Sequence, residues 1–216
     1  MNEVIHPPAI REAIIALRAT RRQLLDAAKE MIVADNAALY ELDLIATLAI
    51  KRAVSTTAGF TSLIEQSNMV CARTLLRTQI DSVLRFYAFS LVDEPHEMAR
   101  QVIAGTPISK MKDRQGVKMR DAYLVQELNK EISWLATVYG RTSGYVHLSK
   151  ELLGLTVRDF GDTSGQFTAR IGEIDDLPEQ VWLESIACFQ EATELVIYFI
   201  ITWTHAKRTV AKSRSA

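Results

Sequence analysis

Apolar residues recur at every third or fourth position through most of this 216-residue chain. That spacing places the apolar side chains on one face of a helix. With only 9 glycines and 5 prolines, the chain has little of the chemistry that turns require, so its helices must be long. The pattern predicts an all-α fold, a multi-helix up-and-down bundle that forms a single helical domain over residues 1–216.

The apolar period sets the approximate bounds of the helices. A first helix of about 25 residues begins at Pro7-Pro8, because proline suits the first turn. The other predicted helices are Ala38 to Glu65 with a kink at 55–59, Met69 to about Leu91 with a cap at Ser67-Asn68, Asp93 to about Ile103, Asp121 to Tyr139 with an interruption at Gly140 and a restart over 142–152, and Pro178 to Lys207.

The period changes within residues 153–173. Apolar and polar residues alternate over 155–160 and again over 167–171, on either side of the glycine-flanked segment 161–165. This pattern predicts a small β-hairpin with a five-residue loop before the C-terminal helix.

Residues 104–120 predict a flexible loop, because they contain two glycines and a proline. The loop is basic, with Asp113 as its one acid, and its positive residues are Lys110, Lys112, Arg114, Lys118 and Arg120. We expect Lys110, Lys112, Arg114 and Lys118 to contact RNA phosphates, and a merely solvated loop is the alternative. The tail 207–216 is also basic.

The net charge of −1 excludes a bulk electrostatic attraction to nucleic acid or to an anionic membrane, although local patches remain open. The most apolar stretch, Leu195–Trp203, has nine residues, and about 20 are needed to cross a bilayer. We therefore predict a cytoplasmic protein without a membrane span. Because this stretch is apolar all round, it should be buried centrally or shared with a second chain, and we expect a homodimer through the C-terminal helix.

The motifs of several common sites are missing from the sequence. It contains neither a Gly-x-Gly-x-x-Gly nor a Walker-type loop. No two of the 4 histidines share a predicted helix face, so we expect no metal site and no cofactor. Cys71 and Cys188 lie in apolar segments and predict buried, reduced thiols.

Two arrangements of residues carry chemistry. Arg73, Arg77 and Asp81 follow one another at steps of four on one predicted helix, where a salt-bridge ladder is the structural alternative. Arg141 and His147 lie at a predicted helix junction. A guanidinium can hold a phosphate by two hydrogen bonds, and an imidazole can exchange a proton near neutral pH.

This ordering resembles the HEPN superfamily of α-helical proteins, whose hallmark is Arg-x(4–6)-His on a late helix. The stretch 72–81, followed far downstream by 139–147, is similar to bacterial HEPN-like proteins with Arg-x-x-x-Glu on a middle helix and Tyr-x-x-x-Ser-x-x-x-His late. Asp81 stands where those proteins tend to have glutamate, and Thr142 stands where an Asn, Asp or His is usual.

The resemblance implies a metal-independent endoribonuclease that acts as a dimer in a toxin–antitoxin or phage-defence system. Arg141 would bind the scissile phosphate and His147 would act as acid and base. The implied supporting residues are Arg73, Arg77, Asp81, Ser143 and Tyr145. RNA and an antitoxin or defence protein are the implied partners. A non-catalytic HEPN-like binding module and an unrelated helical interaction protein are the alternatives. In the structural alternative Arg141 caps a helix C-terminus, His147 packs half-buried and Tyr145 fills the core.

Overall fold

The computed structural model describes residues 6–147, 149–160, 167–169, 171–172 and 174–215. Within these residues helices dominate, which confirms the all-α prediction. The helices are α1 (Pro8–Val33), α2 (Glu41–Glu65), α3 (Met69–Tyr87), α4 (Pro95–Ile103), α5 (Asp121–Leu128), α6 (Leu135–Val146), α7 (Lys150–Thr156) and α8 (Glu179–Ser215), with 3₁₀ turns at Ala88–Leu91 and Ile108–Lys110.

The four longest helices build the bundle, in which α1 packs against α2 and α8 while α3 packs against α2 and α8. The rings of Phe60 and Phe189 stack with centroids 4.1 Å apart and join α2 to α8. A buried polar chain runs beside them. The Thr56 hydroxyl donates to Gln79 Oε1 at 2.6 Å, and Gln79 Nε2 donates to Thr193 Oγ1 at 3.0 Å. These bonds satisfy polar groups that would otherwise be costly to bury, and they fix the relative positions of three helices.

The beginnings of α1 and α3 agree with the sequence. α1 begins at Pro8, and its predicted apolar face is buried, including Ile10, Ile14 and Leu17. α3 is capped by Asn68, whose Oδ1 accepts a hydrogen bond from the Cys71 amide at 3.0 Å. Both predicted starts are therefore confirmed.

The segment 55–59, predicted to weaken α2 and to kink it, does not interrupt the helix, which continues to Glu65. A Cβ at Gly59 would lie 3.0 Å from Leu75 Cδ1 of α3. The glycine therefore serves the close approach of α2 to α3, which compensates for its poor helix propensity.

The single helix predicted from Asp121 to Tyr139 is also wrong. α5 ends at Leu128, and α6 begins at Leu135 and passes through Gly140. Asn129 explains the break, since its Oδ1 accepts a hydrogen bond from the Ala136 amide at 2.9 Å and satisfies the open first turn of α6. Gly140 sits where a Cβ would have open space, and a glycine at such a position weakens a helix without ending it.

The region predicted as a hairpin begins with helix. α7 includes Leu155 and Thr156, which we expected in a strand. Strand β1 (Val157–Phe160) then pairs antiparallel with β2 (Phe167–Ala169). The predicted loop 161–165 lies outside the described residues.

The C-terminal helix α8 extends beyond its predicted end at Lys207. Lys207 was expected in a basic tail, but its side chain is 0% exposed. Its Nζ donates to Asp43 Oδ2 and to the Met31 carbonyl, each at 2.9 Å. The four-carbon stem of lysine belongs to the apolar stripe that faces the bundle, and the sequence pattern does not reveal the acid that meets its ammonium group.

The outer face of α8 is uncovered. Val196 and Ile200 are 0% exposed, whereas Tyr198 is 60% and Ile201 is 42% exposed. By length and composition alone the segment Glu179–Val210 could cross a membrane, since its most apolar window has a mean hydropathy of 1.3, and 39% of that window is buried in the bundle. Core helices of soluble proteins share these properties. The expectation that no segment is long and apolar enough to cross a membrane was therefore too strict.

Candidate functional site

The second half of α6 and the residue that follows it carry the two residues predicted to be catalytic. Arg141 and His147 are both exposed, and neither makes a hydrogen bond or ion pair with another described residue. His147 follows the helix end with extended backbone, at φ −118° and ψ 152°. Six helical steps separate residues by about 120° around the axis and about 9 Å along it. Arg141 therefore lies in the middle of α6 and His147 directly after its end, on different sides of the helix.

The residues between them anchor α6 to the bundle. Tyr145 is buried and its hydroxyl accepts a hydrogen bond from Arg73 Nη1. Arg73 Nε also donates to Ser185 Oγ on α8 at 3.3 Å, and its guanidinium carbon lies 4.9 Å from the Tyr145 ring centroid. Ser143 is half-buried. Arg73 thus joins α3, α6 and α8. Arg73 and Tyr145, two of the predicted supporting residues, therefore contact each other, and their contact is structural.

Arg77 lies against α6, with its guanidinium carbon 3.3 Å from the centroid of the Tyr139 ring. Its Nη2 is 3.6 Å from Asp81 Oδ1, which is longer than a hydrogen bond. Arg77 Nε and Nη1 and Asp81 Oδ1 are buried and have no hydrogen-bond partner. The predicted ladder is therefore a pair of charges that lie close together without being bonded.

Arg85 and Asp121 complete this cluster, and sequence reasoning missed both. Arg85 bonds Asp121 at the start of α5, and its Nη1 is a further buried atom without a partner. We call the set Arg77, Asp81, Arg85, Asp121 and Tyr139 the arginine seam. The seam holds four of the five unpartnered buried side-chain atoms found among the described residues. The step of four that links Arg77 to Asp81 continues to Arg85, and that spacing was the signal available in the sequence.

The charges of the arginine seam act on one another. Burial raises the pKa of Asp81 above its ordinary value of 3.8, the nearby Arg77 opposes that rise, and the carboxylate of Asp121 adds to it. Burial likewise raises the pKa of Tyr139, again against the effect of Arg77. In both groups the loss of water around the charged form is the largest cause.

The basic loop has more internal structure than a flexible loop. Asp113 is buried and accepts hydrogen bonds from the Gln115 and Val117 amides at 3.0 and 2.8 Å and from the Tyr123 hydroxyl. Arg114, predicted to contact phosphate, instead donates to the Ser90 carbonyl at 2.6 Å. Acceptors along 90–93 thus already occupy its guanidinium.

The lysines of this loop remain available. Lys110, Lys112 and Lys118 are exposed. Lys112 and Lys118 are partners in an antiparallel bridge, so two like charges lie opposite each other. Like charges directly opposite each other in a strand pair are destabilising.

Other expectations concern thiols and metals. Cys71 is exposed, so the prediction that it is buried is wrong, while Cys188 is half-buried and burial raises the pKa of its thiol. Cys71 lies on the outer side of α3, whose apolar period does not include it. No group of three or more His, Cys, Asp or Glu residues that could hold a metal occurs in the part of the chain that the structure describes.

A groove of about 430 Å³ runs between α1 and α8. Asp26 and Glu30 line it from α1, and Ile201, His205 and Arg208 line it from α8. Acidic and basic side chains thus face each other beside the uncovered apolar face of α8.

Comparison with protein-family models, with curated proteins and with solved structures finds no significant match to this chain.

Proposed function

We propose that this protein is an HEPN-like, metal-independent endoribonuclease of a cytoplasmic toxin–antitoxin or phage-defence system. The observation that supports it is the state of Arg141, in the second half of α6, and of His147, directly after it, which are exposed and bonded to no other described residue. Side chains with a structural role in this region, such as Arg73 and Tyr145, are committed to specific contacts. The two uncommitted groups are the ones that phosphate binding and proton transfer require.

The chemistry is attack by a ribose 2′-hydroxyl on the adjacent phosphate. The 2′-oxygen loses its proton and bonds to phosphorus, while the bond from phosphorus to the 5′-oxygen breaks and that oxygen gains a proton. His147 transfers protons and Arg141 holds the phosphate oxygens. The products carry a 2′,3′-cyclic phosphate and a 5′-hydroxyl, and no redox partner is needed.

The separation of Arg141 and His147 around the α6 axis favours a site composed from two protomers. The exposed side chains of Tyr198 and Ile201 on α8 supply the apolar surface that a homodimer would bury. Burial contributes about 25 cal/mol per Å² before the costs of association are met. A second chain at α8 would bring a second Arg141/His147 pair into the assembly.

The exposed Lys110, Lys112 and Lys118 support contact with the RNA backbone outside the cleavage site. Each phosphate contact makes affinity dependent on salt. Lys112→Ala should therefore weaken binding to all RNA sequences and reduce the salt dependence, with no effect on the identity of the products.

Two alanine variants test the cleavage site. Because a positioned acid–base group contributes about 10²–10⁴-fold in rate, Arg141→Ala and His147→Ala should each lose detectable cleavage while circular dichroism shows unchanged helicity. Arg22→Ala is the matched control, since Arg22 is an arginine whose side chain is 90% exposed on α1. Cleavage that survives both substitutions would reject these residues as catalytic.

A non-catalytic module that binds RNA or a partner protein is the second candidate. It is favoured by His147, because no described residue forms a hydrogen bond with this imidazole to fix its tautomer, as catalytic histidines usually require. This candidate predicts that the wild-type protein binds RNA without cleaving it, and that Arg141→Ala lowers the affinity only.

A further inference from the structure

Both the positive and the negative side of the arginine seam contain buried atoms without a hydrogen-bond partner. Arg77 Nε and Nη1 and Arg85 Nη1 are donors without acceptors, and Asp81 Oδ1 is an acceptor without a donor. Buried polar groups of native proteins nearly always have partners, from protein, water or ligand. The concentration of four such atoms in one cluster indicates a place for a polar group that is not part of the chain.

The charges of the seam favour an anion. Arg77 lies beside Asp81 and Arg85 is paired with Asp121, and the more distant positive charge of Arg52 also lowers the pKa of Asp81. Asp121 is already bonded to Arg85, whereas Arg77 has no bonded partner among the described carboxylates. An oxyanion would supply the acceptors that Arg77 and Arg85 lack.

Asp81 restricts the kind of oxyanion. Its Oδ1 needs a hydrogen-bond donor, so the ligand must present a proton as well as acceptor oxygens. A phosphate monoester with a second pKa near 6 retains a P–O–H group at mildly acidic to neutral pH. A sulfate ion and an internal RNA phosphodiester have no such proton, and each would place unprotonated oxygens against the carboxylate.

The side chains of the seam are partly exposed toward Asp121. The side chain of Arg77 is 13% exposed, and the exposed fractions rise to 28% for Asp81, 34% for Arg85 and 38% for Asp121. The Tyr139 ring covers a face of the Arg77 guanidinium. Because the N–H bonds of a guanidinium lie in its plane, this stacking leaves the donors at its edge free for a ligand that enters beside Asp81.

We propose that the arginine seam is a binding site for a phosphate monoester, held by Arg77 and Arg85 and selected by a hydrogen bond from its protonated oxygen to Asp81. The site is separate from Arg141 and His147 and does not depend on RNA cleavage there. The shared chemistry fits a terminal phosphate of RNA, a free nucleoside monophosphate or inorganic phosphate.

The first experiment measures binding of inorganic phosphate and of sulfate by calorimetry at about pH 6, where inorganic phosphate, like a monoester with a second pKa near 6, still carries a proton and sulfate carries none. Wild-type protein should bind phosphate at least about 10-fold more tightly than sulfate. Arg77→Gln should weaken phosphate binding by about 10- to 100-fold, since a hydrogen bond to a charged group is lost. Arg18→Gln, which removes an exposed arginine paired with Glu65, should change nothing.

Asp81→Asn tests the selection directly, because the amide can donate where the carboxylate cannot. This variant should lose most of the preference for phosphate over sulfate while it still binds both. Equal binding of the two ions by the wild type, or a preference that Asp81→Asn leaves intact, would overturn the role of Asp81. A wild type that binds neither ion would overturn the site. Thermal unfolding without ligand checks that each variant folds.

The source of the phosphate is distinguished by three ligands, namely a nucleoside 5′-monophosphate, an RNA oligonucleotide with a 5′-phosphate and the same oligonucleotide with a 5′-hydroxyl. The 5′-phosphorylated RNA should compete with inorganic phosphate in the wild type and should lose that ability in Arg77→Gln. Competition of equal strength by the 5′-hydroxyl RNA would contradict recognition of a monoester.

Discussion

Replacement of Lys207 by methionine tests how α8 is held in the bundle. The Lys207 side chain is 0% exposed and that of Asp43 is 2% exposed. Besides the ammonium, Asp43 accepts hydrogen bonds from the Trp203 indole at 2.7 Å and the Tyr40 amide at 2.9 Å. Lys207→Met keeps the approximate length of the side chain but leaves the Asp43 carboxylate with only these two neutral donors. It also removes the donor that bonds the Met31 carbonyl.

The expected cost follows from the burial of the charge that remains. Removing one partner of a buried ion pair costs about 3–5 kcal/mol, which is a large part of a total stability of about 5–15 kcal/mol. At about 2–4 °C per kcal/mol for a domain of this size, the melting temperature should fall by roughly 6–20 °C. Urea unfolding followed by circular dichroism should show a lower midpoint with an unchanged slope.

Two further variants separate the buried charge from other effects. Arg208→Met changes the next residue, whose side chain is 42% exposed and pairs with Glu30 at 63% exposure, so it should cost at most about 1 kcal/mol. Asp43→Asn in the Lys207→Met background should recover part of the lost stability, because a neutral amide is less costly to bury. If Lys207→Met costs no more than Arg208→Met, or if Asp43→Asn deepens the loss, the reasoning is refuted.

Three other predictions follow from single contacts. Gly59→Val should destabilise the protein by about 1–3 kcal/mol in urea unfolding through overpacking against α3, and an unchanged midpoint would show that the approach of the helices is not tight. The hydrogen bond to Asp113 raises the pKa of Tyr123 from 10.0 to about 12, so the stability that this bond gives should hold below pH 10 and be lost as pH rises toward 12. Ultraviolet titration should show the raised pKa of this phenol in the wild type and a pKa closer to 10 in Asp113→Ala. A thiol reagent should modify exposed Cys71 quickly and half-buried Cys188 slowly, and the fast phase should be absent in Cys71→Ser. Two equal rates of modification would contradict the burial of Cys188.

The long helices could be predicted from sequence because their apolar residues report burial directly. α1 and the start of α3 follow from proline, asparagine and a regular apolar face, which are local signals. Gly59 and Gly140 show the limit of such signals. One glycine serves a contact between helices and the other lies at an open position, and neither ends a helix. The division of α5 from α6 depends on the Asn129 side chain, which local propensity does not reveal.

Part of the candidate site could also be predicted from signals that lie along the sequence. The step of four along α3 placed Arg77 beside Asp81, and the resemblance to the HEPN superfamily pointed to Arg141 and His147. The stacking of Arg77 on Tyr139 and the bond from Arg85 to Asp121 join residues from different helices. Contacts of this kind depend on tertiary packing, so a pattern along one helix cannot predict them. Lys207 is the clearest case, since its partner Asp43 lies 164 positions away in the chain.

The most direct test of the proposed activity is an analysis of the RNA ends that the wild-type protein produces in the presence of a chelator. The account predicts cleavage that is undiminished by the chelator and fragments that end in a 2′,3′-cyclic phosphate, because the nucleophile is the adjacent 2′-hydroxyl and Arg141 and His147 supply the other groups. Intact RNA, cleavage that stops when metal is removed, or fragments that end in a 3′-hydroxyl would contradict it.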